Sequence, residues 1–327
     1  MRKLMWFTLG FAAACAVGAY LLSGNLLIVI SLAVLTATGA VWLICRHFDW
    51  KLAPVVILLG LSVGLIWYWI YHCVYLSAAL ELDGKTTQAT IEVCDFSFET
   101  GYGIAADGKA SWQGKIYRIR FYLDEGYYLS PGDLVSGEFR FRTTYDGLDA
   151  ETYHRGDGIV FLAYQRGDVS ITDSTVPWWY YPASHIRHAL IDLISTVFPE
   201  DTESFARALL LGDDNDLTYE QETAFRVSGI RHIVAVSGLH VSMLFGFVYL
   251  ATGKRRFMTA LLGIPVLVLF AAVAGFTPSV IRACVMHGLM ILAMLFNREY
   301  DPPSALSFAA LSMLVVNPLV ITSDSYQ

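Results

Sequence analysis

Seven stretches of the sequence are almost free of charge, and each is close to the length of a membrane-crossing helix. An α-helix needs about 20 apolar residues to cross the hydrocarbon layer of a bilayer. The stretches form two groups, at 4–22, 26–45 and 52–76, and at 233–251, 257–275, 280–296 and 305–321. This pattern predicts a mainly α-helical polytopic membrane protein.

Between the two groups the pattern changes to alternating apolar and polar residues, which is typical of β-strands. Turn pairs such as Asp83-Gly84 and Pro131-Gly132 separate the alternating runs. The candidate strands are 88–94, 115–123, 134–142 and 158–164, with a long hairpin excursion over 96–113. Four or five short strands are typical of a small barrel such as an OB-fold. The sequence therefore predicts an inserted small, OB-like β-barrel as a water-soluble domain.

The predicted organisation has four parts. Residues 1–76 form three amino-terminal transmembrane helices, and 77–175 form the OB-like β domain. Residues 176–231 form interfacial amphipathic helices, and 232–327 form a membrane domain with a broken helix and further transmembrane helices.

The interfacial part begins with the aromatic run 178–181, which is typical of the headgroup level of a bilayer. A helical apolar stripe follows at Ile186, Leu190, Leu193, Ile194 and Val197. We expect His185, Arg187 and His188 to face water or lipid phosphates, with a metal site at the two histidines as the alternative.

Composition agrees with a membrane location. The chain is 55% hydrophobic and 16% charged, with a mean hydropathy of +0.51, which is more apolar surface than a soluble core can hide. The net charge is −7, and acidic residues also outnumber basic ones in the β domain, so total charge does not imply a nonspecific phosphate-binding surface. The five cysteines have no zinc-site spacing, and we predict neither a metal nor a cofactor. The sequence does not decide whether Cys73 and Cys94 form a disulfide.

Basic residues in the short connections indicate which side each connection occupies, because Lys and Arg are retained in the cytoplasm. Arg2 and Lys3 precede the first helix, Arg46 and Lys51 flank the second connection, and 254–256 follows the fourth helix. One orientation puts all three clusters inside and the β domain outside the cell membrane. A cleaved amino-terminal signal peptide is the alternative for the first segment, and it leaves the β domain outside.

Two arginine pairs in the β domain are candidate DNA-binding residues. Alternation puts Arg118 and Arg120 on one strand face, and it does the same for Arg140 and Arg142. Arginine and aromatic side chains can hold a single strand by charge and by base stacking. The alternative is a solvated strand face.

The apolar run after residue 232 is interrupted at Ser237-Gly238, and a break at membrane depth requires protein or water around the exposed backbone. Arg231, His232 and His240 surround this break, which makes the segment a candidate pathway. Ser237 and His240 also allow a membrane-embedded hydrolase. Against that alternative, the surrounding residues are not G-x-S-x-G, and no acidic partner lies nearby in the following helices.

Several short motifs together resemble the ComEC-type competence proteins, the membrane channels of natural transformation. The order of the parts fits the same family, so the resemblance covers nearly the whole chain. The motifs are 208–213, Ala224-Phe225-Arg226, Gly229, His232, 235–241, 278–283 and Asn317-Pro318.

The resemblance implies passage of single-stranded DNA into the cytoplasm. It also implies a competence DNA receptor and a cytoplasmic DNA-pulling ATPase or helicase as partners, beside membrane lipid, and self-association into a homo-oligomer is compatible with it. The family's domain with an H-x-H-x-D-H nuclease motif has no counterpart in these residues, and they contain no P-loop, so we predict no catalytic residue. The implied DNA pathway comprises Arg226, Arg231, His232, Ser237, Gly238, His240 and Arg282.

Two other functions stay open at this point. One is a membrane scaffold whose β domain binds a protein or envelope polymer without conducting DNA, and the other is the hydrolase that uses Ser237 and His240.

The predicted orientation can be tested with single cysteines placed at Lys109 or Asp146 in a variant without its five native cysteines. Because both positions lie in the β domain, a membrane-impermeant thiol reagent should label them in intact cells. A cysteine at Lys254 should react only after lysis. Labelling of the first two positions only after lysis would contradict the orientation.

Overall fold

Residue contacts divide the chain into two compact units in the computed structural model, which describes residues 3–20, 26–47, 53–101, 103–144, 152–174, 176–213, 217, 219–228, 238–323 and 326. The first unit contains Met1–Glu81, Thr144–Gly158 and Arg298–Gln327. The second contains Leu82–Thr143 and Ile159–Asn297.

Helices lie in both units of the described residues, and three short turns of other helical types accompany them. A π-helical turn, His72–Leu76, follows α3, and 3₁₀ turns occupy Trp178–Tyr180 and Pro318–Thr322. The α-helices are α1 Lys3–Tyr20, α2 Leu26–His47, α3 Ala53–Tyr71, α4 Ser77–Leu80, α5 Thr152–Gly156, α6 Pro182–Val197, α7 Glu200–Leu211, α8 Tyr219–Val227, α9 Gly238–Ala251, α10 Arg256–Val273, α11 Pro278–Leu295 and α12 Pro302–Val316.

The apolar stretches of the sequence coincide with apolar helices. Four helices are long and apolar enough to cross a membrane, namely Lys3–Tyr20, Ala53–Leu80, Arg256–Val273 and Pro278–Leu295. Shorter apolar helices cover Leu27–Leu43, Gly238–Ala251 and Pro302–Val316. The chain is a multi-pass membrane protein.

Glycines set the packing of α1 against α3 in the first unit. A Cβ on Gly10 would overlap the carbonyl oxygen of Ile57, and a Cβ on Gly60 would overlap that of Phe7. A Cβ on Gly64 would lie 2.6 Å from the Cβ of Ala14. Small residues let two membrane helices approach until their backbones touch, and dispersion then holds them together.

The second unit contains a closed β-barrel. Its strands are β1 Thr86–Val93, β2 Phe98–Thr100, β3 Gly103–Trp112, β4 Lys115–Leu123, β5 Leu134–Thr143 and β6 Phe161–Thr172. The sheet order is β1-β5-β6-β4-β3-β2, and an additional β1–β3 pairing closes the five longer strands into a ring. The β4–β6 pair is parallel and the other pairs are antiparallel. This is a five-stranded Greek-key barrel of the OB type, which confirms the predicted fold class.

Alternation along the strands fills the barrel with apolar side chains. Tyr117, Ile119 and Phe121 of β4 point inward with Phe139 and Phe161, and all five are fully buried. Gly108 marks the crossing of β1 and β3, because a Cβ there would lie 2.6 Å from Cγ2 of Ile91. Closure removes the exposed sheet edge that an open barrel would present.

The sequence prediction missed two strands. The excursion over 96–113 contains β2 and β3, and β3 pairs with β4 from Ile104↔Leu123 to Trp112↔Lys115. The strand predicted at 158–164 is Phe161–Thr172. The division into four parts at residues 76, 175 and 231 stays a prediction.

Substitution of Gly60 tests the close contact between α1 and α3. Gly60→Ala should lower the free energy of unfolding by about 1–3 kcal/mol, because the new methyl group overlaps the Phe7 carbonyl oxygen. Gly39→Ala in α2 is the matched control, since a Cβ at Gly39 meets no atom within 4 Å in the described residues. Thermal unfolding in detergent measures both. Equal melting temperatures of the two variants would contradict the packing.

Candidate functional site

A cavity of about 320 Å³ lies in the second unit, between the barrel and helices α6 and α7. The loop after β1 and strand β2 line it with residues 95–99. Strands β3 and β4, which are the second and third strands of the barrel ring, contribute Asp107 and Arg120. In OB-folds this strand pair and the loop between the first two barrel strands commonly bind oligonucleotides. The cavity therefore lies at the usual ligand-binding region of the fold.

Charge on this face is partly neutralised within the barrel. Asp107 and Arg120 are direct partners in the β3–β4 ladder. The Arg120 guanidinium donates to both Asp107 oxygens, at 2.7 and 3.1 Å, and its Cζ lies 5.4 Å from the centre of the Phe98 ring. Arg118 Nη2 lies 3.7 Å from Asp107 Oδ2. One carboxylate thus holds the two arginines that the sequence predicts as DNA-binding on β4.

Arg187 of α6 points into the cavity. Its Nη1 lies 3.8 Å from Asp95 Oδ2, and its Nη2 lies 3.5 Å from Asp213 Oδ1. Both distances are longer than a hydrogen bond. The side chain is 19% exposed. The expectation that Arg187 faces water or lipid phosphates is therefore wrong, because the loop after β1 and the end of α7 surround it with carboxylates.

An aromatic stack connects α6 to the loop after β1. The His188 ring lies parallel to the Phe96 ring, with centroids 4.1 Å apart and planes inclined by 17°. The His185 ring meets the same phenyl edge-on at 5.3 Å. Both histidines thus contact the barrel, contrary to the expectation that they face water or lipid, although the His188 side chain remains 37% exposed.

The amino-terminal end of α6 is attached to β1. The Tyr181 hydroxyl donates to the Glu92 carboxylate, and burial together with this carboxylate raises the pKa of Tyr181. Ser184 Oγ donates to the Cys94 carbonyl oxygen at 3.1 Å. Cys94 is a free thiol, as is Cys73, and burial raises the pKa of Cys94.

The other end of the cavity depends on α7. The helix ends at Gly212 in the left-handed conformation, with φ 72°, which turns the chain so that Asp213 becomes buried. Arg207 Nη2 donates to Glu203 of its own helix and to Ser195 Oγ of α6 at 2.7 Å. Ile186, Leu190 and Ile191 of α6 pack beside Ala206 and Leu211 of α7. The two helices therefore form one wall.

Burial makes the Asp95 carboxyl a weaker acid. Desolvation raises the pKa of this carboxyl above its ordinary value, and the nearby Arg187 charge offsets the rise only in part. The cavity thus combines guanidinium groups, carboxylates and phenyl rings. In the described ranges no group of three or more His, Cys, Asp or Glu side chains is suited to a metal ion.

Comparison with known proteins finds a family match over the carboxy-terminal part of the chain. Residues 209–327 match the family described as Competence protein. The matched segment is about a third of the chain. The resemblance to ComEC-type competence proteins, stated from the sequence, is confirmed. We call residues 209–327 the competence segment.

Two curated proteins are similar to parts of the chain. The chain is 27% identical over 150 residues to the ComE operon protein 3 of Bacillus subtilis (strain 168), covering 45% of this chain and 19% of that protein. It is 32% identical over 129 residues to an uncharacterized protein of Aquifex aeolicus (strain VF5), covering 39% and 31%. The chain thus spans about a fifth and a third of these relatives. No solved structure is significantly similar to it.

The competence segment contains all the residues predicted for the DNA pathway. Gly238 begins α9, and a Cβ there would lie 3.4 Å from the Cβ of Ala283 in α11, next to Arg282. Arg282 and His240 are half-buried. Arg226 lies on α8, but its side chain is outside the described residues, as are Arg231, His232 and Ser237 entirely. The structure therefore brings together Gly238 and the Arg282 region, and the pathway roles stay predictions.

On the β domain, Arg140 and Arg142 are exposed on β5, whereas Arg118 and Arg120 lie beside Asp107. Sequence reasoning missed the cavity residues Asp95, Phe96 and Asp213 as partners of α6. An available signal was the position of Phe96 and Phe98 between the first two barrel strands, where OB-folds bind ligands.

Replacing Asp95 should change how stability depends on pH. Because its pKa is raised, the folded protein holds the Asp95 proton more tightly than the unfolded chain does. The stabilisation of the folded state by this proton is complete below the ordinary pKa of about 3.9, and it is lost as the pH rises through the raised pKa. The melting temperature of Asp95→Asn minus that of the parental protein should therefore be higher at about pH 7 than at about pH 4.

Thermal unfolding in detergent at both pH values measures this difference. Asp168→Asn, at an exposed position of β6, is the control because it makes the same chemical change away from Arg187. An identical pH trend in both variants would contradict a specific effect at Asp95.

Proposed function

We propose that this chain is a membrane channel component that passes single-stranded DNA into the cytoplasm during natural transformation. The proposal rests on one observation: the same chain contains a closed OB-type barrel and the apolar helices of the competence segment. The barrel offers a surface for a single strand outside the membrane, and the helices offer the crossing. This combination fits conduction better than it fits a scaffold that only binds a partner.

The crossing would run along the competence segment. Gly238 provides a position without a side chain where α9 begins, close to α11. Arg282 brings a positive charge into the second turn of the mainly apolar helix α11, and a charge within a membrane helix is costly unless polar groups or water surround it. A phosphate backbone moving past would be such a partner. The pathway proposal covers Arg226, Arg231, His232, Ser237, Gly238, His240 and Arg282.

The β domain would receive the strand on the extracytoplasmic side, as the basic connections predict. Arg140 and Arg142 are exposed on β5 and available to phosphates. Because acidic residues outnumber basic ones in this domain, we infer that stacking contributes to binding alongside charge. A competence DNA receptor would deliver the strand, and a cytoplasmic ATPase or helicase would pull it.

Substitution of Arg282 tests the channel function. Arg282→Ala should reduce transformation by labelled DNA at least about tenfold, because a positive group worth roughly 1.4 kcal/mol or more to the passing phosphates is lost. DNA bound at the cell surface should stay unchanged. Arg282→Lys should retain much of the uptake, since the charge is kept.

The matched control is Arg298→Ala, at an exposed position just beyond α11. It should transport DNA at the parental rate. Protein level and melting temperature are measured for every variant. Parental uptake by a well-folded Arg282→Ala protein would contradict the pathway and favour a scaffold.

A further inference from the structure

Helix α6 contacts the loop after β1, which belongs to the barrel region that an OB-fold uses for a single strand. The contact centres on Phe96, whose ring is stacked by His188 at 4.1 Å with planes inclined by 17°. Aromatic rings in this position commonly hold the bases of a bound strand by parallel stacking. The imidazole of His188 is a flat, nitrogen-containing ring in the arrangement that a nucleobase would adopt.

We propose that Phe96 is a base-stacking position for single-stranded DNA, and that His188 occupies this position when no strand is bound. The helix and the strand then compete for the same phenyl ring. The inference rests on the proposed function, and it adds a specific binding residue and a specific competitor. It also assigns the loop after β1, and not only the exposed arginines of β5, to DNA contact.

The charges around the stack do not attract DNA while α6 is in place, because they are paired within the protein. Asp107 is held by Arg120, and Arg187 lies between Asp95 and Asp213. A phosphate that enters the cavity therefore meets carboxylates paired with each arginine. The side of the cavity next to Phe96 has no surplus of positive charge while α6 stays in place, and phosphates gain little there.

The contacts near His188 are individually weak, whereas the helix as a whole is held by the hydrogen bonds between Tyr181 and Glu92 and between Arg207 and Ser195. Arg187 lies 3.8 Å from Asp95, beyond hydrogen-bond length, and the Asp95 carboxylate is itself disfavoured by burial. Ser184 gives one neutral hydrogen bond at 3.1 Å. The His188 ring is 37% exposed, so it can leave Phe96 without opening a core. A strand that offers a base to Phe96 can thus replace the imidazole.

The competition predicts a gain of affinity when the imidazole is removed. The full chain in detergent is titrated into a fluorescent oligodeoxythymidylate of about 12 nucleotides at fixed salt, and anisotropy gives Kd. His188→Ala should bind roughly two- to tenfold more tightly, the range expected for loss of one aromatic stack. Phe96→Ala should bind about tenfold more weakly than the parental protein. In the Phe96→Ala background, His188→Ala should give no further gain.

The matched control is His188→Phe, which keeps a flat ring on Phe96 and should keep the parental affinity to within about twofold. Melting temperatures establish that each variant is folded. A duplex of the same length should not respond to His188→Ala, because its bases are not free to stack. These results together would support the competition.

Two outcomes would overturn it in different ways. If the parental protein binds the oligonucleotide and His188→Ala binds no more tightly, the stack is only packing between α6 and the barrel, and the proposed function is unaffected. If no variant binds single-stranded DNA, the competition fails together with the DNA-receiving role of the β domain.

Discussion

The need to satisfy every backbone N–H and C=O group governs both units. In lipid there is no water to bind these groups, so the apolar stretches are helices whose hydrogen bonds are internal. In the β domain, β1 meets the same need by pairing with β5 along one edge and with β3 along the other. This double pairing closes the barrel and fixes where the chain leaves β1. The loop with Phe96 and the cavity beside it follow from that exit.

The barrel carries two kinds of arginine, which differ in what surrounds them. Arg120 lies opposite Asp107 in the β3–β4 ladder and pairs with it, and Arg118, whose ladder partner is Lys109, lies 3.7 Å from the same carboxylate. Arg140 and Arg142 project from β5 into solvent. Under the proposed function, long-range attraction of a phosphate backbone would depend on the second pair, and short-range contacts would depend on rings and on paired charges. An acidic domain can in this way present a local basic surface.

Much of the fold could be predicted because hydrophobic pattern alone decides it. Strand β4 has strict alternation, and its predicted bounds match the observed Lys115–Leu123. Strand β3 was missed because its sequence of small residues with Asp107 and Lys109 lacks alternation, and pairing with β1 and β4 makes it a strand. The cavity was missed for a similar reason. Ion pairs between Arg187 and residues of other elements depend on tertiary structure. The periodicity of a sequence gives no information about such contacts.

The raised pKa of Cys94 has a consequence for the chemistry of this thiol. Only the thiolate attacks disulfides and reacts rapidly with oxidants, and a raised pKa lowers the thiolate fraction at neutral pH. Cys94 therefore resists oxidation and mixed-disulfide formation better than an exposed cysteine. Its carbonyl oxygen accepts the hydrogen bond that fastens α6 to the strand end. The attachment of α6 to the barrel thus uses the backbone of a residue whose side chain has low reactivity.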